Sequence, residues 1–66
     1  MNNYYETNET IVIYRWVKAI DKNLYGEKSK NIKIYYGKEN KEIVLSGFEM
    51  DEFLIHFKQW LKNQKQ

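Results

Sequence analysis

The chain contains no cysteine and no proline, and it has one histidine and one arginine. Disulfide bonds are therefore excluded, and a structural zinc site is close to excluded because such sites use several cysteine and histidine ligands. A lack of cysteine fits a reducing compartment, and residues 1–6 have neither the basic nor the apolar region of a signal peptide. We therefore expect a cytoplasmic protein.

Long apolar runs and glycine-rich loops are also missing. The longest apolar runs reach four or five residues, too few to span a membrane, and the three scattered glycines form no phosphate-binding loop. Serine occurs only at Ser29 and Ser46, and the one histidine, His56, is four residues from Glu52, a spacing typical of a solvated pair on a helix face. We predict a non-enzymatic protein without catalytic residues, metal or cofactor, and without a membrane partner.

A chain of 66 residues makes one small domain with little core. Ordering it costs ~1.5 kcal/mol per residue, which the available apolar burial roughly cancels. Since neither disulfides nor zinc can add stability, we predict that the protein associates with itself as a homodimer or a higher homo-oligomer.

Charge is unevenly distributed, although the net charge is only +2. Residues 15–41 hold eight basic and three acidic side chains, a balance of +5, whereas residues 42–57 have a balance of −4. The basic segment can attract an anion, and pairing of the two segments can orient protomers in an assembly.

The clearest predicted element is a helix over residues 47–63. Ser46-Gly47-Phe48-Glu49 matches a capping box, in which the serine hydroxyl and the glutamate carboxylate satisfy backbone N–H groups of the first turn. Phe48 and Ile55 project away from the main apolar side. That side is a stripe of 3.6-residue period formed by Met50, Phe53, Leu54, Phe57 and Leu61, with Trp60 at its margin.

Three strands are predicted before the helix, over residues 9–20, 31–36 and 42–45, with residues 1–8 as an N-terminal arm or edge strand. The predicted fold is therefore α+β, with the element order β-β-β-α. Its antiparallel sheet has three strands, or four if another segment adds a strand. The last two strands form a hairpin, since residues 37–41 supply a glycine and an asparagine for positive φ angles. Its inward side chains are Ile32, Ile34, Tyr36, Ile43 and Leu45, and its outward ones are Lys33, Tyr35, Glu42 and Val44.

The first strand is apolar on both faces. Val12, Tyr14 and Trp16 share one face, and Ile11, Ile13 and Val17 share the other. One helix can cover only one face of the sheet. The second face must meet a partner protomer, the chain's own N-terminal segment or a ligand.

Aromatic and basic side chains alternate along the middle of the chain. Nucleobases stack on flat aromatic rings and lysines neutralise phosphates without reading sequence, so this pattern predicts a site for a nucleotide or for single-stranded nucleic acid. A solvated sheet face or a dimer face explains the same composition. The predicted ligand-binding residues are Tyr14, Arg15, Trp16, Lys18, Tyr25, Lys28, Lys30, Lys33 and Tyr35.

The ending Glu42-Ile43-Val44-Leu45-Ser46, followed by an aromatic-containing capped helix, resembles the strand-to-helix ending of the positive-coactivator and Whirly type of single-stranded-DNA-binding modules. The resemblance implies a dimer with a curved, basic, aromatic sheet of four strands, the extra one from residues 3–7 or 22–30. It also implies that the helix with Phe53, Phe57 and Trp60 is a dimer or core element. The matching sheet positions are Tyr14, Trp16, Lys33 and Tyr35.

Size and composition also resemble those of small phage-encoded proteins that counter bacterial defence, some of which sequester nucleotide signals as homo-oligomers. The resemblance implies action in the host cytoplasm. We therefore expect a homo-oligomeric binding protein for a phosphate-bearing ligand. The alternative is a small inhibitor or adaptor that contacts another protein, such as a host defence protein, through an exposed strand or through Phe48 and Ile55.

Overall fold

The computed structural model describes residues 2–22 and 31–64 and shows an α+β fold. A three-stranded antiparallel sheet leads into the helix, as predicted, while two short strands nearer the N-terminus form a separate two-stranded sheet. In chain order the elements are β1 (Tyr4–Glu6), β2 (Ile11–Ile13), a 3-10 turn (Tyr14–Trp16), β3 (Val17–Asp21), β4 (Asn31–Tyr36), β5 (Lys41–Ser46) and α1 (Gly47–Asn63).

The β4–β5 hairpin agrees with its prediction in its inward face and in its turn chemistry. Ile32 lies opposite Leu45, and Ile34 lies opposite Ile43. Gly37 has a φ of 74° and Asn40 a φ of 55°, the left-handed conformation that glycine and asparagine tolerate best. The inward side chains pack against α1, and the outward ones face away from it.

The predicted first strand is wrong as a single element, because the 3-10 turn divides it. β2 pairs with β1 and β3 pairs with β4, so the two halves belong to different sheets. The chain changes direction between them, and the Val17 N–H closes the turn on the Tyr14 carbonyl. The strict two-residue alternation across residues 9–20 is therefore lost, and Tyr14 and Trp16 do not share a face.

Helix α1 begins where predicted but without the predicted capping box. Ser46 is the N-cap residue, and its side chain makes no capping hydrogen bond. Gly47 follows with a φ of 58°, so the chain passes from β5 into the helix through a left-handed residue. Of the predicted stripe, Leu61 is 42% exposed, because the last turn of the helix from that residue onward lies uncovered.

The N-terminal segment forms the edge strand β1. Thr7 closes its connection to β2, with its hydroxyl oxygen accepting from the Glu9 and Thr10 N–H groups at 3.1 Å. Tyr5 and Val12 point inward and are buried, whereas Tyr4 and Ile11 are exposed. The strand thus extends β2 sideways and leaves the outward face of β2 open.

The core lies between α1 and the two sheets. Phe53 and Phe57 stack with ring centroids 5.4 Å apart, and Tyr14 packs against both. Phe53 and Phe57 are therefore core residues of the same chain, and the partly buried Trp60 packs against them. The buried set is Tyr5, Val12, Tyr14, Ile32, Ile34, Leu45, Met50, Phe53 and Phe57.

Candidate functional site

A concavity lined by basic side chains lies where the 3-10 turn meets the β4–β5 turn. Because β3 and β4 are antiparallel, the start of β3 is brought beside the end of β4, and Val17 pairs with Tyr36. The Gly37 N–H donates to the Trp16 carbonyl at 2.9 Å, which fixes the two turns together. The concavity measures about 460 Å³ and is lined by Arg15, Trp16, Lys18, Gly37 and Lys38, hereafter the turn site.

Trp16 is the aromatic member of the turn site. Its ring contacts Tyr36 with centroids 5.9 Å apart and planes tilted by 56°, while 51% of the residue stays exposed. Tyr36 is itself held, since its hydroxyl oxygen accepts a hydrogen bond from the Ile13 N–H at 3.0 Å. The indole thus packs against Tyr36 while about half of the residue stays accessible to a ligand.

No carboxylate of the described residues neutralises the cations of the turn site. Within residues 2–22 and 31–64, none of Arg15, Lys18 and Lys38 forms an ion pair. The Lys18 ammonium lies 3.4 Å from the Asn40 side-chain oxygen, a neutral acceptor. Glu39 is exposed in the same turn and does not line the concavity. Three like charges held close together create a positive potential that favours an anion.

Tyr14, a predicted ligand-binding residue, lies away from the turn site. It is only 2% exposed, and its ring centroid lies 5.5 Å from that of Phe57 and 5.6 Å from that of Trp60. The 3-10 turn directs its side chain into the core beneath α1. Its position therefore leaves its ring no open face on which a base could stack.

Lys33 and Tyr35 lie on the side of the sheet away from α1, hereafter the outer face. Lys33 is 3.6 Å from the Glu42 carboxylate and is opposed by Asp21 in the register. Tyr35 and Tyr36 are adjacent in β4 and project to opposite sides, and neither Lys33 nor Tyr35 lines the turn site. The remaining predicted residues, Tyr25, Lys28 and Lys30, lie outside the described part of the chain.

Lys38 belongs to the turn site but was not among the predicted ligand-binding residues. The sequence places it in the hairpin connection, and only the pairing of β3 with β4 brings that connection to Trp16. An antiparallel meander always places the second connection beside the start of its first strand. The predicted order of the strands, combined with the positions of the lysines in the sequence, could therefore have identified Lys38.

A second polar cluster joins β1 to α1. The Tyr5 hydroxyl donates to the Glu52 carboxylate at 2.8 Å, and its ring lies 6.5 Å from that of His56. Burial, and then the hydrogen bond and charge of Glu52, raise the pKa of Tyr5 to about 12. Burial also raises the pKa of Tyr14. Both phenols are therefore protonated near neutral pH, and the Tyr5 hydroxyl acts as a donor rather than a base.

Residues 2–22 and 31–64 show neither a metal centre nor a membrane-spanning helix. No group of three or more histidine, cysteine or acidic side chains there could hold a metal ion. The helix within that part is also too short and too polar to cross a membrane.

Comparison of the chain with protein-family models, with curated proteins and with solved structures gives no match. The function proposed for it rests on the geometry of the turn site.

Proposed function

We propose that the protein is a non-enzymatic binding protein for a phosphate-bearing ligand, a nucleotide or single-stranded nucleic acid, and that the turn site holds this ligand. The observation that carries the proposal is the placement of Arg15, Lys18 and Lys38, all without ion pairs in the described chain, around the half-exposed ring of Trp16.

The two kinds of side chain serve the two parts of such a ligand. A base stacked on an aromatic ring contributes about 1–3 kcal/mol and can be any of the common bases. Lysine and arginine bind phosphate oxygens through charge-assisted hydrogen bonds, whose strength falls as salt screens the charges. The resulting site recognises a class of ligand by stacking and charge.

Titration with short oligonucleotides and with mono- and dinucleotides at two salt concentrations tests the proposal directly. We expect binding that weakens at the higher salt. Lys18→Gln and Lys38→Gln should each weaken it about five-fold, the equivalent of ~1 kcal/mol for one exposed charged contact. Salt-sensitive binding to none of these ligands would refute the proposal.

Lys33→Gln is the matched control, because it removes the same charge from the outer face. We expect a smaller effect than at Lys18 or Lys38, since the Lys33 ammonium is already near the Glu42 carboxylate. A larger loss for Lys33→Gln than for either turn-site variant would place the ligand on the outer face instead.

The proposal includes self-association. No element of the described chain covers the outer face, on which Tyr35 is half-buried and Val44 is 57% exposed. An uncovered sheet face bearing tyrosine and valine is suited to a second copy of the chain. Light scattering at micromolar concentration should give the mass of a dimer or larger assembly, and Val44→Glu should lower it. A monomeric mass for the unmodified chain would contradict this part.

In this proposal the biological role is sequestration of the bound ligand, as in phage-encoded proteins that counter nucleotide signalling. A protein of this kind needs affinity and abundance and no turnover. Ligand recovered chemically unchanged after prolonged incubation with the protein is the expected result, and catalytic conversion would contradict it.

Contact with another protein is the second candidate function. Phe48 is 75% exposed and Ile55 is 57% exposed, and their spacing of two helical turns places them on one side of α1. An inhibitor or adaptor acting through this patch would retain one stoichiometric partner, and Phe48→Ser would release it. If only nucleotides stabilise the fold, this candidate is excluded.

A further inference from the structure

We infer that the ligand of the turn site is one nucleotide that carries a di- or triphosphate, and not an internal stretch of a nucleic-acid strand. This inference rests on the proposed function and restricts the ligand to a single nucleotide. It follows from the number of aromatic rings, the number of cations and the extent of the concavity.

Among residues 2–22 and 31–64, the turn site offers one ring for stacking. Of the neighbouring aromatic residues, Tyr14 is buried in the core, Tyr35 lies on the outer face, and the Tyr36 hydroxyl accepts the Ile13 N–H. Proteins that hold a single strand without sequence preference stack successive bases on several aromatic side chains along a groove. One open indole provides for one base.

Three cations accompany that single ring. Arg15 and Lys18 flank Trp16 in the chain, and Lys38 approaches from the β4–β5 turn. Each internal nucleotide of a strand brings one phosphate charge, and successive charges are spaced along the backbone. A terminal di- or triphosphate instead concentrates several charges on one nucleoside, which matches three cations grouped around one ring.

The extent of the concavity agrees with a small ligand. Its volume of about 460 Å³ lies in the range of small-molecule pockets, roughly 300–1,000 Å³. Three further concavities of the described chain are lined without any lysine or arginine. The positive lining therefore does not continue into them, as a channel for a strand would require.

Trp16 fluorescence provides the test. Trp60→Phe leaves Trp16 as the only tryptophan, and circular dichroism shows whether this variant keeps its fold. ATP, AMP, inorganic tripolyphosphate and an eight-nucleotide DNA strand with a 5′-hydroxyl end are titrated into it at low salt without added metal. Calorimetry on the unmodified chain with the same four ligands gives the result independently of the variant.

We expect ATP to bind at least ten-fold more tightly than AMP, because AMP lacks the outer phosphates, and to quench Trp16 fluorescence. ATP should also bind at least ten-fold more tightly than tripolyphosphate, the contribution expected of one stacked base at about 1–3 kcal/mol. The DNA strand should bind more weakly than ATP.

Each other outcome overturns the inference in a recognisable way. A strand that binds as tightly as ATP refutes the single-nucleotide form and leaves the proposed function intact. Tripolyphosphate binding equal to that of ATP shows that Trp16 does not stack on the base. Equal affinity for AMP and ATP shows that the cations do not hold a polyphosphate. If none of the four ligands binds, the proposed function fails together with the inference.

Discussion

Tyr14 and Trp16 are two residues apart, and replacing each by glutamine should have very different effects on stability. A regular strand would place both side chains on one face, whereas the 3-10 turn buries the first and leaves the second half exposed. The same substitution at both positions therefore tests the division of the predicted first strand.

The expected losses follow from the contacts of each ring. Removing a buried aromatic side chain costs about 3–5 kcal/mol, and an unsatisfied buried amide adds about 1–3 kcal/mol. A chain of this length has a total stability of roughly 3–10 kcal/mol. Tyr14→Gln should thus remove most or all of it. Trp16→Gln should cost at most about 2.5 kcal/mol, taking half of a ~200 Å² side chain at roughly 25 cal/mol per Å².

Urea unfolding followed by far-ultraviolet circular dichroism measures both variants against the unmodified chain. We expect Trp16→Gln to unfold cooperatively at a moderately lower urea concentration, and Tyr14→Gln to be largely unfolded without urea. Equal losses for the two variants, or a greater loss for Trp16→Gln, would refute the assignment of Tyr14 to the core and Trp16 to the surface.

Three further predictions concern the helix start and the Tyr5 hydrogen bond. Ser46→Ala should change the free energy of unfolding by less than about 0.5 kcal/mol, because no capping hydrogen bond is lost. A loss of ~1 kcal/mol, measured by thermal unfolding, would instead indicate that Ser46 caps the helix. Gly47→Ala should cost about 1–2 kcal/mol, since a Cβ disfavours the positive φ although nothing lies within 4 Å of it; an unchanged melting temperature would contradict this. Because the pKa of Tyr5 is raised to about 12 from 10.0, its stabilisation is complete below pH 10 and is lost as the pH rises through 12. The Tyr5→Phe variant should therefore be less stable than the unmodified chain at pH 7, and its free energy of unfolding should fall less steeply above pH 10. Parallel pH profiles for the variant and the unmodified chain would argue against the raised pKa.

The β4–β5 hairpin and helix α1 could be predicted because their signals are local. Alternation of apolar side chains sets the inward face of the hairpin, and Gly37 and Asn40 supply the positive φ angles. The helix is indicated by apolar side chains that recur with a 3.6-residue period, of which Met50 and Phe57 are buried. Neither element needs information from elsewhere in the chain.

The break in the first strand could not be predicted in the same way. Residues 14–16 contain no glycine or proline, and tyrosine and tryptophan both favour strands. The turn forms because β2 and β3 pair with different partners, and Tyr14 gains a buried place against Phe57. Both causes are tertiary and leave no local signal in the sequence.

The kinds of residue that line the turn site could be predicted from the sequence, but the full set of lining residues could not. Arg15, Trp16 and Lys18 were recognised from an alternation of basic and aromatic residues, and the structure brings them together. Lys33 shares that composition but lies on the outer face and does not line the turn site. Sequence spacing could not separate the two positions, since the division depends on the register of β3 against β4.

The two hydrogen bonds between the N-terminal segment and α1 also constrain the order of folding. Tyr5 bonds Glu52 and Asn3 bonds Trp60, contacts between residues 47 and 57 positions apart. Such distant partners meet late, because the intervening chain must first lose its freedom. We therefore expect the meander and helix, which can assemble from neighbouring segments, to form before β1 and β2 complete the core against them. The 3-10 turn joins these two stages, so the turn site acquires its final shape only when the last stage is complete.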